Sequence, residues 1–327
     1  MSSDRRRKLL PLLAVVPLVT AFGCSSNRTA STATTRAKTT TSATASTTGF
    51  PVTIHAANGA VTMKARPKAI VSLSPTATEM LYAIGAGPQV KAVDEYSDYP
   101  PSAPMSKLDG LDPNVEAIAS YKPDLVLVSD DTASLNKQLG ALGIPVLYLP
   151  AATNLAQDYQ QYIEIGEATG HVAEAAAEVT AIKASLARII KSVPKPAHPE
   201  SYYYEVGIDP YYSVTDSTFV GKLLGLLGLH SVADAAKGAA ASGGYPELNA
   251  EFILQSNPDY IFLADTICCH QSATTVAHRP GWSLLSAVKD HRLLGLNDDI
   301  ASRWGPRIVM LLKDVATELK QHPLAGS

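Results

Sequence analysis

Beyond Phe50, short apolar runs alternate with longer stretches in which apolar residues return every three or four positions, the pattern of buried strands interleaved with amphipathic helices. Val52-Thr53-Ile54 and Val61-Thr62-Met63 flank Asn58-Gly59 and predict a hairpin. Ala69 to Leu73 reads as a short strand. Ser74 then caps a helix that has Pro75 at its first position and Met80, Leu81 and Ile84 on one face. Gly85-Ala86-Gly87 ends that helix, and Val90 to Val93 resumes as strand. A short helix at Asn114 to Ile118, a buried parallel strand at Pro123 to Val128, a helix at Leu135 to Leu142 and a strand at Ile144 to Leu149 follow. Two helix-forming stretches come next, Asn154 to Gly170 and His171 to Lys191. The second, of roughly 22 residues, spans about 33 Å, enough to bridge two lobes. After the Pro194-Lys195-Pro196 breaker the same grammar returns. Tyr202 to Val206 and Asp259 to Leu263 read as strands, and Phe219 to Leu227, Phe252 to Gln255, Leu284 to Val288 and Ile308 to Leu319 as helices. The architecture repeats, with no evident repeat in the sequence itself. The expected fold is α/β: two Rossmann-like lobes, 50–152 and 194–327, joined through a helical segment at 153–193 containing the long helix.

The residues before Phe50 follow a different pattern. Arg5-Arg6-Arg7-Lys8 precedes an apolar stretch, Leu9 to Phe22, that Pro11 and Pro17 interrupt, so it reads as an export signal rather than a membrane span. Ala21-Phe22-Gly23-Cys24 resembles the lipobox of bacterial lipoproteins, in which the cysteine is acylated and becomes the new N-terminus, although Ala21 stands where Leu is usual. A plain secretory signal is the alternative, and both the general and the twin-arginine export routes stay open. Segment 24–49, mostly Ser, Thr and Ala, lacks the apolar surface to offset ordering entropy and is expected to be a disordered tether. A flexible linker of about 25 residues reaches roughly 25 to 30 Å.

Composition sharpens this division. With 46% hydrophobic and 17% charged residues the chain is an ordinary globular one, and its formal net charge of −3 offers no basic field for nucleic acid. Removing residues 1–23 takes away four basic residues and Asp4, leaving 23 Lys and Arg against 29 Asp and Glu, a net charge of −6. Aromatic usage is skewed, with 14 Tyr against 5 Phe and 2 Trp, which favours surfaces that are half buried and half wet.

Several motifs in order carry a family resemblance: Ile70-Val71-Ser72-Leu73-Ser74-Pro75-Thr76-Ala77-Thr78-Glu79, Tyr96-Ser97-Asp98-Tyr99-Pro100-Pro101, Lys122-Pro123-Asp124-Leu125-Val126-Leu127 and Asn257-Pro258-Asp259-Tyr260-Ile261. Over roughly Ala69 to Ala316 the chain resembles the substrate-binding proteins of ABC importers for iron chelates, haem and vitamin B12, and most strongly the vitamin B12-binding members. The resemblance implies two lobes joined by a single long, rigid helix with a ligand cleft between them, a metal chelate as cargo and no resident cofactor. It also implies an ABC permease with its ATPase as partner and a monomer held by its N-terminal lipid at the outer face of the cytoplasmic membrane.

Candidate ligand-binding residues follow from chemistry and resemblance together. Ser74 and Thr76 sit at a helix start whose unpaired N–H groups and hydroxyls suit a carboxylate or amide, and simple capping is the bland reading of Ser74. Tyr96 lies on a loop after a strand, beside Asp98. In a strand Tyr202 and Tyr204 share one face and Tyr203 the other, so part of the tyrosine surplus is core. The resemblance places Tyr211 and Tyr212, after Asp209-Pro210, at the cleft, where flat hydroxyl-rimmed rings suit a macrocycle or a catecholate chelate. Tyr245 matches a pocket tryptophan of vitamin B12-binding relatives, and Arg303 and Trp304 occupy a segment resembling another part of the cleft, with Arg303 placed to meet an anionic ligand. Glu116 and Glu251 match the two carboxylates, one per lobe, that relatives present to permease arginines. Haem-binding relatives often carry a tyrosine ligand in the segment matched by Lys107 to Leu111, and none is present there.

Cys268-Cys269-His270 reads as a vicinal disulfide in an oxidising compartment, with a Cys/His ligand site for metal or haem as the functional alternative. The eight histidines show no zinc-site spacing, so no dedicated metal site is expected. No nucleophile elbow, Walker loop or complete dinucleotide fingerprint nominates an enzyme. A tethered extracytoplasmic hydrolase would need a Ser, His and Asp cluster in the cleft. A cell-wall interaction protein on the same fold is the remaining alternative.

Overall fold

The computed structural model describes residues 49–324. The expected signal segment 1–23, Cys24 and the tether up to Thr48 lie outside the described residues. The hairpin forms from β1 (Val52–Ala56) and β2 (Gly59–Met63), but its turn is Ala57-Asn58 rather than Asn58-Gly59, because Ala56 already pairs with Gly59. A tertiary demand sets this register. Asn58 Nδ2 donates to the Val146 carbonyl at 2.8 Å and its Oδ1 accepts from the Tyr148 amide at 3.3 Å, which fastens the hairpin to a sheet edge.

The first sheet contains β3 (Ile70–Leu73), β4 (Val90–Asp94), β5 (Met105–Leu108), β6 (Leu125–Val128) and β7 (Val146–Tyr148), all parallel in the order β5-β4-β3-β6-β7. Its helices are α1 (Pro75–Ala83), α2 (Val115–Ser120) and α3 (Leu135–Ala141). Two helices follow, α4 (Leu155–Thr169) and α5 (Val172–Ser192), separated by Gly170 in the left-handed region and His171. The long helix expected to bridge the lobes is therefore α5, with 21 residues, and α4 packs along it. Contact is close because position 166 is glycine: a Cβ there would lie 2.6 Å from that of Ala175.

The second half contains β8 (Glu200–Glu205), β9 (Gly207–Ile208), β10 (Tyr211–Tyr212), α6 (Phe219–Gly225), β11 (Leu229–Ser231), β12 (Glu247–Leu248), α7 (Ala250–Ser256), β13 (Tyr260–Leu263), α8 (Ala273–Ala277), α9 (Ser286–Lys289), β14 (Leu293–Gly295), α10 (Asp298–Ser302) and α11 (Ile308–Gln321). A parallel sheet runs β11-β8-β13-β14, and β9, β10 and β12 form a small antiparallel sheet beyond the end of β8. The segment at Tyr211 and Tyr212, expected as a plain strand-end loop, is thus a paired strand.

Period-two alternation divides the apolar residues among three cores. Leu125 and Leu127 of β6 and Tyr202, Tyr204, Tyr260 and Phe262 of β8 and β13 face a single cluster that also takes in α1, α4, α5, α6 and α11. The intervening Val126 and Val128 face a second cluster with Ile118 and Leu139, and Tyr203, Ile261 and Leu263 face a third with Ile253 and Trp282. The first cluster is continuous through both sheets. Because apolar interiors pack at crystal-like density and resist shear, a shared core of this kind favours small relative motion of the lobes.

The structure also reveals an internal repeat that direct reading missed. Residues 114–128 and 249–263 align without a gap, sharing Asn, Glu, Ile, Pro and Asp at equal spacing. Asn114 and Asn249 each cap a helix by accepting an amide at 2.8 Å, and Ile118 and Ile253 are both fully buried. Lys122 and Asn257 both take positive φ before their prolines. Asp124 accepts from the Lys68 and Ala69 amides, and Asp259 from the Ser201 amide and hydroxyl, each tying its strand to the neighbouring one. Only five of fifteen positions are identical: the capping Asn, the exposed Glu, the buried Ile, the Pro and the anchoring Asp.

One buried group breaks the apolar pattern. Asp158 of α4 is wholly buried, and neither its carboxylate oxygens nor the Tyr162 hydroxyl one turn on has a hydrogen-bond partner among the described residues. Burial pushes the Asp158 carboxyl up to about 7. The folded state then keeps a proton that the unfolded chain releases near pH 4, so stability falls as pH rises from about 4 to about 7 and is flat above. Asp158→Asn, which mimics the protonated acid, is expected to raise the thermal midpoint at pH 8 by on the order of 5 °C and leave it nearly unchanged at pH 4. Equal shifts at both pH values would refute this protonation.

Candidate functional site

In a parallel sheet the loops beyond the carboxyl ends of the strands gather at one edge. The loops after β4 and β14 meet there, and the contact is ionic. Arg303, which follows α10, donates from Nη1 to Glu79 Oε1 and Asp98 Oδ1, both at 3.1 Å, and from Nη2 to the Tyr96 carbonyl at 2.9 Å and Asp299 Oδ1 at 2.5 Å. Arg307 grips the same Glu79 bidentately, at 2.8 and 2.6 Å, and its guanidinium lies 4.4 Å from the Tyr99 ring centre. The Glu79 side chain is 1% exposed. Burial alone would raise the Asp98 carboxyl, but the Arg303 hydrogen bond and charge prevail and hold it below the usual range. Beside this cluster Trp304 Nε1 donates to Gln161 Oε1 of α4 at 2.7 Å, and Gln161 in turn donates to the Pro150 carbonyl.

These contacts reassign several expected residues. Arg303 is fully engaged by protein acceptors and joins the two lobes rather than presenting a free cation. Trp304 is half-buried against the shared core. Ser74 is buried and its hydroxyl accepts from the Ala77 amide at 3.3 Å, the capping geometry. Thr76 is buried as well, in van der Waals reach of the Gly305 position, so neither residue opens to solvent. Tyr211 turns inward and packs on Trp282 with ring centres 5.6 Å apart, as strand alternation requires once Tyr212 points outward. Tyr96, Tyr212 and Tyr245 are all about half exposed, at 46%, 42% and 48%.

Further apolar side chains stand exposed on the same carboxyl-edge loops: Tyr99 after β4, Leu111 after β5, Val206 and Ile208 after β8 and Ile267 after β13. Below them lie buried acids. Asp94, at the end of β4, packs under Gly110, and burial pushes it up to about 6; Asp265, just past β13, is pushed by burial and the neighbouring Glu205 up to about 7. Glu205 ends β8 and is held by Arg279 through two bonds of 2.6 and 2.7 Å, with that guanidinium 4.6 Å from the Trp282 ring centre. Glu79 closes one of the sequence motifs, but nothing in a separation of 228 residues couples it to Arg307. The Glu205–Arg279 pair had no sequence signal at all.

Glu116 and Glu251 occupy the same position in the repeated segment. Each is exposed in the first turn of its short helix, and Glu251 accepts from Gln255 one turn on, at 3.1 Å. Cys268 and Cys269 are joined by a disulfide on the loop after β13. No group of three or more His, Cys, Asp or Glu side chains able to hold a metal ion occurs among the described residues.

Two parallel α/β sheets that share one core, with apolar loops gathered at their carboxyl edges, define a bilobal solute-binding protein. The model of the family described as periplasmic binding protein matches residues 70–300, and the chain belongs to that family. It is 35% identical over 280 residues to the uncharacterized ABC transporter substrate-binding lipoprotein YvrC of Bacillus subtilis, covering 83% of this chain and 86% of that one. It is 30% identical over 271 residues to a cobalamin-binding protein of Halobacterium salinarum, covering 80% of this chain and 72% of the relative. Among solved structures, a possible iron-binding periplasmic solute-binding protein of Staphylococcus epidermidis aligns with a TM-score of 0.66 at 28% identity, over 77% of this chain and 98% of that one.

Proposed function

We propose that this protein is the solute-capturing lipoprotein of an ABC importer, that it takes a metal chelate of the cobalamin class, and that it hands this cargo to a membrane permease driven by its ATPase. The observation that carries the reading is the set of half-exposed tyrosines and aliphatic side chains on the carboxyl-edge loops of both sheets, at a place where a soluble protein otherwise buries such groups. Aromatic rings with hydroxyl rims contact the flat face of a macrocycle and hydrogen-bond to its amide fringe. The names of the relatives support the class: one is a cobalamin-binding protein and one a possible iron-binding protein. Cys24 carries the lipid, the Ser/Thr/Ala segment tethers the body outside the cytoplasmic membrane as a monomer, and the chelate is cargo rather than a resident cofactor.

Tyr96, Tyr212 and Tyr245 form the contact surface in this reading, while Glu116 and Glu251 face the permease. Titration of the intrinsic fluorescence with cobalamin, haem and a ferric hydroxamate chelate is expected to give saturable quenching by cobalamin at micromolar concentration or below, corresponding to about −8 kcal/mol or better. Tighter binding of haem or the ferric chelate would move the ligand within the metal-chelate class. Flat titrations for all three would overturn the chelate reading itself.

A further inference from the structure

The chain leaves β13 through a loop that is exposed at 267–270 and is bonded on one side to the start of α10 and on the other to Arg279. Two successive amides of this loop donate to one carboxylate, Ile267 to Asp298 Oδ1 at 3.0 Å and Cys268 to Oδ2 at 2.8 Å, while Thr266 Oγ1 donates to the Leu296 carbonyl at 2.6 Å. Downstream, Gln271 donates to the Cys269 carbonyl at 2.9 Å and accepts from Arg279 Nη2 at 2.7 Å. The disulfide therefore sits between two fastenings, one to Asp298 and one to the Arg279–Glu205 pair. Asp298 is the first residue of α10, and the residue that closes α10 is Arg303, whose guanidinium holds Glu79, Asp98 and the Tyr96 carbonyl of the other lobe. Cys268, Cys269 and His270 are themselves exposed.

We infer that Cys268–Cys269 is a redox site for dithiol reductants, and that its ring holds the β13 loop in the conformation that keeps the Asp298 clamp made. A thiolate of the reductant attacks one ring sulfur, forming a mixed disulfide and breaking the Cys268–Cys269 bond, and the released cysteine thiolate takes a proton. The second thiol of the reductant then attacks its own sulfur in the mixed disulfide and loses its proton. The reductant leaves as a cyclic disulfide and the second cysteine leaves as a thiol, so two electrons and two protons pass to the protein. Opening the ring returns both residues to a wider choice of φ and ψ, and the two amide donors to Asp298 then have to be ordered against that added freedom. Adjacent cysteines close no loop beyond the ring itself, so the effect is local to 266–271 and to α10.

The test uses the full chain and does not depend on which solute is bound. Alkylation of the native protein before and after dithiothreitol, read by intact mass, is expected to gain two alkyl groups on reduction; Cys24 is the same in both samples and cancels. Amide hydrogen exchange over 266–271 and 298–303 is expected to quicken about tenfold on reduction while the β6 and α5 amides keep their rates. The Cys268→Ser, Cys269→Ser double variant is expected to exchange at the fast rate with or without dithiothreitol. Asp298→Asn, which keeps the ring, is expected to exchange fast before reduction and still gain two alkyl groups after it. No gain of alkyl groups would overturn the redox site. Complete reduction with unchanged exchange would overturn the coupling of ring to clamp.

Discussion

Glu79→Ala is expected to lower the thermal midpoint by about 10 °C, more than any single exposed substitution in this chain, because it removes the buried carboxylate that two largely buried guanidinium groups share. Arg303 and Arg307 are each 11% exposed and both spend hydrogen bonds on this one carboxylate. Removing one member of a buried ion cluster costs about 3–5 kcal/mol, since the remaining charges keep their desolvation penalty and lose its compensation. Arg303 retains Asp98, Asp299 and the Tyr96 carbonyl, whereas among the described residues the only side-chain acceptor of Arg307 is Glu79, so most of the loss falls on Arg307. Glu79→Ala combined with Arg307→Met should therefore recover a good part of the stability, and the double-mutant cycle measures the coupling directly. A midpoint within about 2 °C of the parent for Glu79→Ala would show that the cluster does not hold the lobes together.

Replacing Glu116 and Glu251 together by Ala is expected to reduce ATP-driven uptake to background while the thermal midpoint and the ligand titration stay where they were. Both carboxylates are exposed, and substitutions at such positions usually move stability by less than about 0.5 kcal/mol. Charge pairs across a docking surface set approach and orientation more than they set affinity, and a pseudo-symmetric pair fixes orientation only if both members are present. Each single variant is accordingly expected to retain partial uptake. Loss of ligand affinity in the double variant, or uptake that persists at the parent rate, would remove these residues from the permease contact.

The secondary structure of this protein was largely readable because each long element has a local cause. Ser74 and Pro75 start α1, Gly170 ends α4, and Tyr202 to Tyr204 alternate between two cores as any strand must. Short elements escaped. β9, β10 and β12 have two residues each and exist only because they pair with one another. The repeat at 114–128 and 249–263 escaped for a related reason: only five positions are identical, and the significance of the Asn and the Asp among them depends on the amides they accept from.

The candidate site divides the same way. The family resemblance placed Tyr211, Tyr212 and Tyr245 at the cleft, but which of Tyr211 and Tyr212 faces outward was decided by the pairing of β10. Arg303 as a conspicuous cation near the cleft was visible in the sequence. Its engagement was not, because Glu79, Tyr96 and Asp98 are brought to it from more than 200 residues away by the packing of α1 and the β4 loop against α10.

By itself the sequence determined the α/β class, the two-lobed order of elements, the family and the placement of one exposed glutamate in each half. These rest on local periodicity, on caps and on motifs whose members lie within a few residues of one another. Only the tertiary structure decided that one apolar core runs through both lobes, that Arg303 and Arg307 close on Glu79, and that the disulfide loop is clamped by Asp298. Those are contacts between residues far apart in the chain, and burial, which gives them their energy, does not exist until the chain has folded.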